Sequence, residues 1–311
     1  MPLLGKRGRN MKLDNQSMKK FLTSSAVPIL FILISAVAIP ISKFTGIYLI
    51  REIVTRLSRD SFLVLALLLP VMAGMGINFG MVLGAMAGQI GLIFITDWGI
   101  KGAAGLVLAM IIGTPIAILL GYFGGVVLNR AKGREMITSM MLGFFIAGIY
   151  QFFLLYLCGS IIPIKSPTLL LSRGYGIRNA INLDATGGFD KLLLINIGGV
   201  PIPVGTFLII ALICIFTMWF RKTKLGQEMR AVGQDMTVSE TAGIKVEKTR
   251  IQSIIISTVI ACYGQVIYLQ NIGTLNTYNG SDQAALFAAA ALLVGGATVS
   301  KASIPNAIIG T

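Results

Sequence analysis

The chain contains no histidine. That removes imidazole metal sites, Ser–His nucleophiles and histidine proton relays at once. Three cysteines remain, Cys158, Cys214 and Cys262. They form no CxxC pair and lie far apart, so neither a zinc site nor a disulfide framework follows, and the expectation is buried small hydrophobes. A Walker A loop needs G-x-x-x-x-G-K-[ST]. Gly-Lys occurs once, at Gly5-Lys6, with Arg7 after it, so the chain has no nucleotide engine of its own. The groups left for chemistry are neutral: Asn78, Phe79, Gln89, Gln151 and Gln265, all within or beside apolar runs. Such groups suit an uncharged polyol or nucleoside better than an ion, and packing is the competing role for each glutamine.

The elements that must position them are apolar. Of 311 residues, 55% are hydrophobic and 12% charged, against about 25% charged in a soluble domain. Mean hydropathy is +0.82. An ordinary cytosolic enzyme, a disordered tail and a secreted disulfide scaffold are excluded. The class is an all-α polytopic membrane protein with about 8–10 transmembrane helices, at least one of them broken or re-entrant. The net charge of +14 is read as loop Lys and Arg, with no nucleic-acid partner; membrane lipid is the surrounding medium.

The spans follow from apolar runs of roughly 20 residues. A basic cytoplasmic tail, residues 1–20, precedes a single transmembrane domain over residues 21–311. Its spans are Phe21–Ser42, Ser61–Ile77 (interrupted by Pro70), Met81–Thr96, Gly102–Leu128, Met136–Cys158, Ile202–Phe220, Ile251–Gln270 and Ala284–Ala297. A signal peptide ending near Ala36-Val37-Ala38 is the competing reading of the first, but the apolar run continues to Ile41. Lys43–Asp60 reads as a short interfacial helix. Residues 159–201 form an external loop with some local structure, and 221–250 a cytoplasmic one. Ile304–Thr311 opens a further apolar run and stops, so C-terminal spans are expected to be missing, a re-entrant end being the alternative. With the amino terminus cytoplasmic, most of the 26 Lys and Arg fall inside.

No Asp, Glu, Lys or Arg lies in the interior of an assigned span. Ion-coupled carriers commonly keep such a group, so this lowers their standing. Gly80, Gly84 and Gly88 repeat at helical spacing and predict close helix packing. Just before them, Gly74-Met75-Gly76-Ile77-Asn78-Phe79-Gly80 predicts a helix break in mid-membrane, where a binding site could be built. Asn78 there either lines a path or caps a helix.

Residues 221–250 read RKTKLGQEMRAVGQDMTVSETAGIKVEKTR. Asp235 is a good N-cap and Gly243 a good C′ residue, which predicts a short helix over Met236–Ala242. Gly226, Arg230-Ala231-Val232-Gly233-Gln234 and Thr241-Ala242-Gly243-Ile244-Lys245-Val246 together resemble the cytoplasmic loop of bacterial ABC-importer permeases of the simple sugar, nucleoside and branched-chain amino acid type. Ser257–Gly264, Ala284–Gly296 and Gly76–Gly80 resemble further elements of that family, the last nearest its nucleoside-type branch. Three departures leave the substrate open. Asn78 stands where sugar-type members show an acidic residue, Met81-Val82-Leu83-Gly84 where nucleoside-type members show an E-G-Q-like element, and the turn after Gly295-Gly296 is reduced.

The resemblance implies a coupling helix, Asp235–Ala242, that seats in a separate ATP-binding subunit, with Gly226, Arg230 and Gly233 shaping its approach and Gly243 ending it. Arg230 could pair with a carboxylate of that partner, or with Glu228 or Asp235. It further implies a second permease subunit, identical or homologous, and an extracytoplasmic solute-binding protein. ATP and magnesium would belong to the partner, with no cofactor in this chain, no catalysis by it, and a place in a bacterial plasma membrane. The competing classes are a secondary carrier with neutral ion ligands, an importer of amino acids or a vitamin, and a membrane enzyme, for which no titratable cluster is present.

Overall fold

The computed structural model describes residues 26–183, 188–189, 193–197, 200–298 and 302–311. The basic tail 1–20 and the start of the Phe21–Ser42 span lie outside the described residues. Backbone groups in hydrocarbon must be satisfied within their own segment, so the apolar runs become helices. These are α1 (Ala26–Ser42), α2 (Gly46–Ala66), α3 (Leu68–Met72), α4 (Met81–Asp97), α5 (Gly102–Arg130), α6 (Glu135–Phe152), α7 (Val204–Phe220), α8 (Lys224–Gln234), α9 (Met236–Thr241), α10 (Val246–Ile272), α11 (Gly280–Val294) and α12 (Ile304–Gly310). A π-helical turn, Phe153–Leu157, extends α6. Among the described residues α5, extended α6 and α10 are each long and apolar enough to cross a membrane. α7 with α8 also passes, but the pair bends by 74°. The protein is an all-α polytopic membrane protein.

Four short strands join the helices. β1 (Ala180–Asn182) pairs antiparallel with β4 (Thr274–Asn276), and β2 (Leu194–Ile197) with β3 (Val200–Pro203). Residues 200–203, partly expected as the start of a span, are therefore strand. The β1–β4 pair marks one end of the molecule, here the sheet end, and the 221–250 segment marks the other, the loop end. Asp97, closing α4, accepts from the Ser166 N–H at 2.8 Å and ties the 159–201 segment to the sheet end.

The core is α10 packed between α4 and α5, with α2 on its remaining side. A Cβ at Gly84 would overlap the Thr258 carbonyl, and one at Gly88 would lie 2.6 Å from the Cys262 carbonyl. Backbone thus rests on backbone, as small residues permit. Gly80 does something else: its neighbour is the Asn78 side chain. Cys262 is buried in this seam.

Two expectations need correction. The interfacial helix expected over Lys43–Asp60 runs from Gly46 into the first part of the following span, to Ala66, as one continuous helix, α2, because a change from charged to apolar composition does not break a backbone. Its first half is exposed and ion-paired, Arg56 to Glu52 at 2.8 Å and Arg59 to Asp60 at 3.0 Å, while Ser61–Ala66 are buried. The chain divides at Leu67. Pro70 cannot donate to the carbonyl four residues back, and Ser257 of α10 donates to that Ala66 carbonyl instead, at 2.8 Å. The break at Gly74–Gly80, expected in mid-membrane, sits at the loop end against α8. A Cβ at Gly74 would be 2.9 Å from the Gly233 Cα.

Candidate functional site

The loop end is built corner by corner. Thr223 caps α8 by accepting from the Gly226 N–H at 3.3 Å. At Gly226 a Cβ would overlap the Phe220 carbonyl, so the α7–α8 corner needs glycine there. Gly226, Met229 and Val232 form the buried face of α8, and Arg230 is exposed. Gly233 leaves no room for a Cβ beside the Met72 carbonyl, so α8 lies directly on the chain between α3 and α4. Asp235 ends α8 and caps α9, accepting from the Val238 N–H at 3.0 Å. Gly243, at φ +84°, closes α9 in the left-handed conformation that favours glycine. The helix expected over Met236–Ala242 forms over Met236–Thr241, with Ala242 as its C-cap. Val238, Glu240, Thr241, Ala242 and Gly243 are exposed, and α9 stands out as a rigid ledge. Lys224 holds Glu228 at 3.9 Å. Arg230 is exposed and forms no ion pair among the described residues, with Glu228 and Asp235 included.

Beneath α9 lies a buried ion pair. Arg250, fully buried at the start of α10, bonds Glu135, the first residue of α6. Its other terminal nitrogen points at the Met236 sulfur, 3.9 Å away in α9. One turn along α6, Ser139 accepts from the Phe79 N–H at 3.1 Å. A contiguous set of contacts therefore runs from the α9 ledge through Met236, Arg250, Glu135 and Ser139 to Phe79.

Phe79 opens onto a cavity of about 300 Å³ between α4, α6 and α11. Its walls are mostly apolar, including Val82, Met140, Phe144 and Leu286, with Asp282 as the charged group. Such walls with a few polar groups are typical of small-solute sites. Asp282 stands in the first turn of α11, where a carboxylate complements the helix dipole.

Deeper in the fold four elements bring polar groups together. Tyr150 of α6 donates to Gln89 Oε1 at 2.9 Å, and Gln265 of α10 donates to the Gly280 carbonyl at 3.3 Å. Gln89 Nε2, Gln265 Oε1 and Ser281 Oγ are buried without partners among the described residues. Gln89 is eight residues from each end of α4, about 12 Å from either end. α11 thus begins deep in the fold rather than at the sheet end, and brings unspent hydrogen-bonding capacity with it.

The comparisons with known proteins bear on this arrangement. The family profile described as the permease component of the branched-chain amino acid transport system matches residues 49–311. The chain belongs to this family. It is 26% identical over 161 residues to the nucleoside ABC transporter permease protein NupB of Lactococcus lactis, covering 52% of this chain and 42% of that protein. It is 25% and 26% identical over 248 residues to the autoinducer 2 import system permease protein LsrD of Escherichia coli and of Photorhabdus luminescens, covering 78% of this chain and 64% of each relative. The chain therefore spans between about two fifths and under two thirds of the length of these curated relatives. No solved structure matches it.

The residues predicted to line a path separate in space. Gln89 and Gln265 meet at Gly280, and Phe79 borders the cavity. Asn78 is buried and accepts from the Gly80 N–H at 2.7 Å, an Asx turn within the break just before α4. Gln151 is half-buried on another face of α6, apart from the cluster. Tyr150, Ser281, Asp282 and the Arg250–Glu135 pair escaped sequence reasoning. Glu135 and Arg250 each stand one residue outside an apolar run and read as flanking charges. Asp282 precedes the assigned span by two residues. The available signal was a pair of opposite charges bounding spans at one end of the molecule.

Proposed function

We infer that this chain is the transmembrane subunit of an ATP-driven importer in a bacterial plasma membrane, with the loop end cytoplasmic. It forms the path for a small uncharged polar solute such as a simple sugar or nucleoside. A separate ATP-binding subunit, carrying ATP and magnesium, docks on the 221–250 loop. The chain itself is not a catalyst: it offers two states whose balance the partner biases. A second permease subunit completes the path, and an extracytoplasmic solute-binding protein loads it. The observation that carries this reading is the α9 ledge, capped at both ends, exposed, and anchored on Arg250. The free Gln89 Nε2 donor and Gln265 Oε1 acceptor support a solute that offers hydroxyl groups.

A second reading concerns the solute. The apolar cavity with Asp282 at its edge suits an amino acid, whose ammonium group a carboxylate would hold.

Purification of the full-length protein from native membranes, with mass spectrometry of what accompanies it, tests the proposal. An ATP-binding subunit that is lost on Ala242→Glu is the expected result. A protein free of any nucleotide-binding partner that transports in liposomes without ATP overturns it and leaves a secondary carrier. Uptake of labelled ribose, a nucleoside and leucine by the reconstituted complex decides between the two solutes.

A further inference from the structure

A cavity larger than the one beside Phe79 lies away from the path. It is a groove of about 740 Å³ between the ends of α5 and α10, beside α9. Its floor exists because two glycines let the helices touch. A Cβ at Gly121 would be 3.1 Å from the Ile255 Cα, and one at Gly125 3.2 Å from the Ile251 Cα. Side chains flanking this seam become walls rather than filling.

The walls change character along their length. At the loop end stand Lys132, Lys245 and Lys248, all exposed and none ion-paired among the described residues. Glu240 and Glu247 also border the groove, so the rim carries a net positive charge sufficient for one phosphodiester. Farther in, the walls are Tyr122, Ile251 and Ile255. Tyr122 is eight residues inside the end of α5 and Ile255 nine inside the start of α10, about 12–13 Å of helix in each case. A hydrocarbon core is about 30 Å thick, so this inner wall lies at acyl-chain depth, out of reach of a soluble subunit.

We propose that this groove is a binding site for one anionic glycerophospholipid of the cytoplasmic leaflet. The phosphate sits among Lys132, Lys245 and Lys248, and an acyl chain runs along Ile251, Ile255 and Tyr122. A basic rim above an apolar wall at membrane depth is the recognition pattern of an acidic lipid headgroup between helices. A free phosphate would use the rim and ignore the wall; a lipid needs both. Because Glu240 and Gly243 belong to the α9 ledge and its stop, an occupied groove braces that ledge from the membrane side. The choice of leaflet rests on the orientation proposed above; the lipid site itself requires only a membrane protein, and the retention test below reads neither leaflet nor transport.

The test is native mass spectrometry of the full-length protein released from nanodiscs of phosphatidylcholine with a minor share of phosphatidylglycerol. The wild type is expected to retain phosphatidylglycerol in preference. Lys132→Gln, Lys245→Gln and Lys248→Gln are expected to cut that retention about fivefold for each lysine removed. Ile255→Trp, which fills the apolar part and keeps every charge, is expected to cut it as well. Lys101→Gln with Lys165→Gln, far from the groove, should leave it intact. Equal retention of both lipids, or full retention by the combined lysine variant, overturns the proposal. So does an unaffected Ile255→Trp whose bound lipid is displaced by soluble glycerol phosphate, since that describes an anion site without a lipid.

Discussion

The Arg250–Glu135 pair at the foot of α10 and the Gln89–Gln265–Gly280 cluster higher up are both buried polar sites, about 22 Å apart along one helix. They are built differently. At the foot, a guanidinium, a carboxylate and a thioether are packed together, and three elements are pinned at one point. Among the described residues the Arg250 Nε is the one atom of that site left without a partner, whereas in the cluster an amide nitrogen, an amide oxygen and a hydroxyl are. Buried polar atoms are nearly always paired, so a group of three is capacity that a bound polar solute would satisfy. The contrast teaches where the molecule holds itself and where it keeps capacity to hold something else.

Arg250→Met is the largest blow to the first site. It strands Glu135 as a buried charge, which typically costs about 3–5 kcal/mol. Thermal melts in detergent should show a deeply destabilised protein, with Glu135→Gln added to Arg250→Met recovering much of the loss. A neutral Arg250→Met would break the comparison, because the pair would then anchor nothing.

Gly233→Ala comes next. The new Cβ meets the Met72 carbonyl, and relieving such overpacking costs about 1–3 kcal/mol. Protease nicking within residues 221–250 should rise while cleavage elsewhere stays low. Unchanged nicking would mean that α8 is not held by the break. Asp235→Ala removes the α9 cap and should cost about 1 kcal/mol, read as faster amide exchange in Met236–Thr241.

Gln265→Leu sharpens the contrast from the other side. It removes an orphan acceptor and one long hydrogen bond, so stability should shift by about 1 kcal/mol or less. Uptake by the reconstituted complex should nonetheless fall at least about tenfold, one lost solute contact being worth that much. A variant that transports normally would return the cluster to packing. Asp282→Asn should move stability least and decide the solute: leucine uptake lost marks an amino acid site, and ribose or nucleoside uptake retained marks a neutral one.

Much of this was legible in the residues. The caps Asp235 and Gly243, and the helices over Met81–Asp97 and Gly102–Arg130, follow from local chemistry and from continuous apolar runs, and both act within a few residues. The two buried glutamines could be named but not joined, since Gln89 and Gln265 are far apart in sequence and Gly280 has no side chain to advertise its part. The break could be read from Gly74 and Gly76, but its depth could not.

The sequence by itself determined the class, the helical runs, the capped ledge and the family, because hydrophobic transfer and backbone satisfaction depend on composition and near neighbours. Tertiary structure alone decided that the break rests on Gly233, that Lys43–Asp60 joins the helix after it, that Arg250 meets Glu135, and that α11 starts beside Gln89. Those facts depend on which backbones approach closely enough to touch. That is set by glycines and orphan carbonyls on different helices meeting in space, a relation that no single stretch of sequence contains.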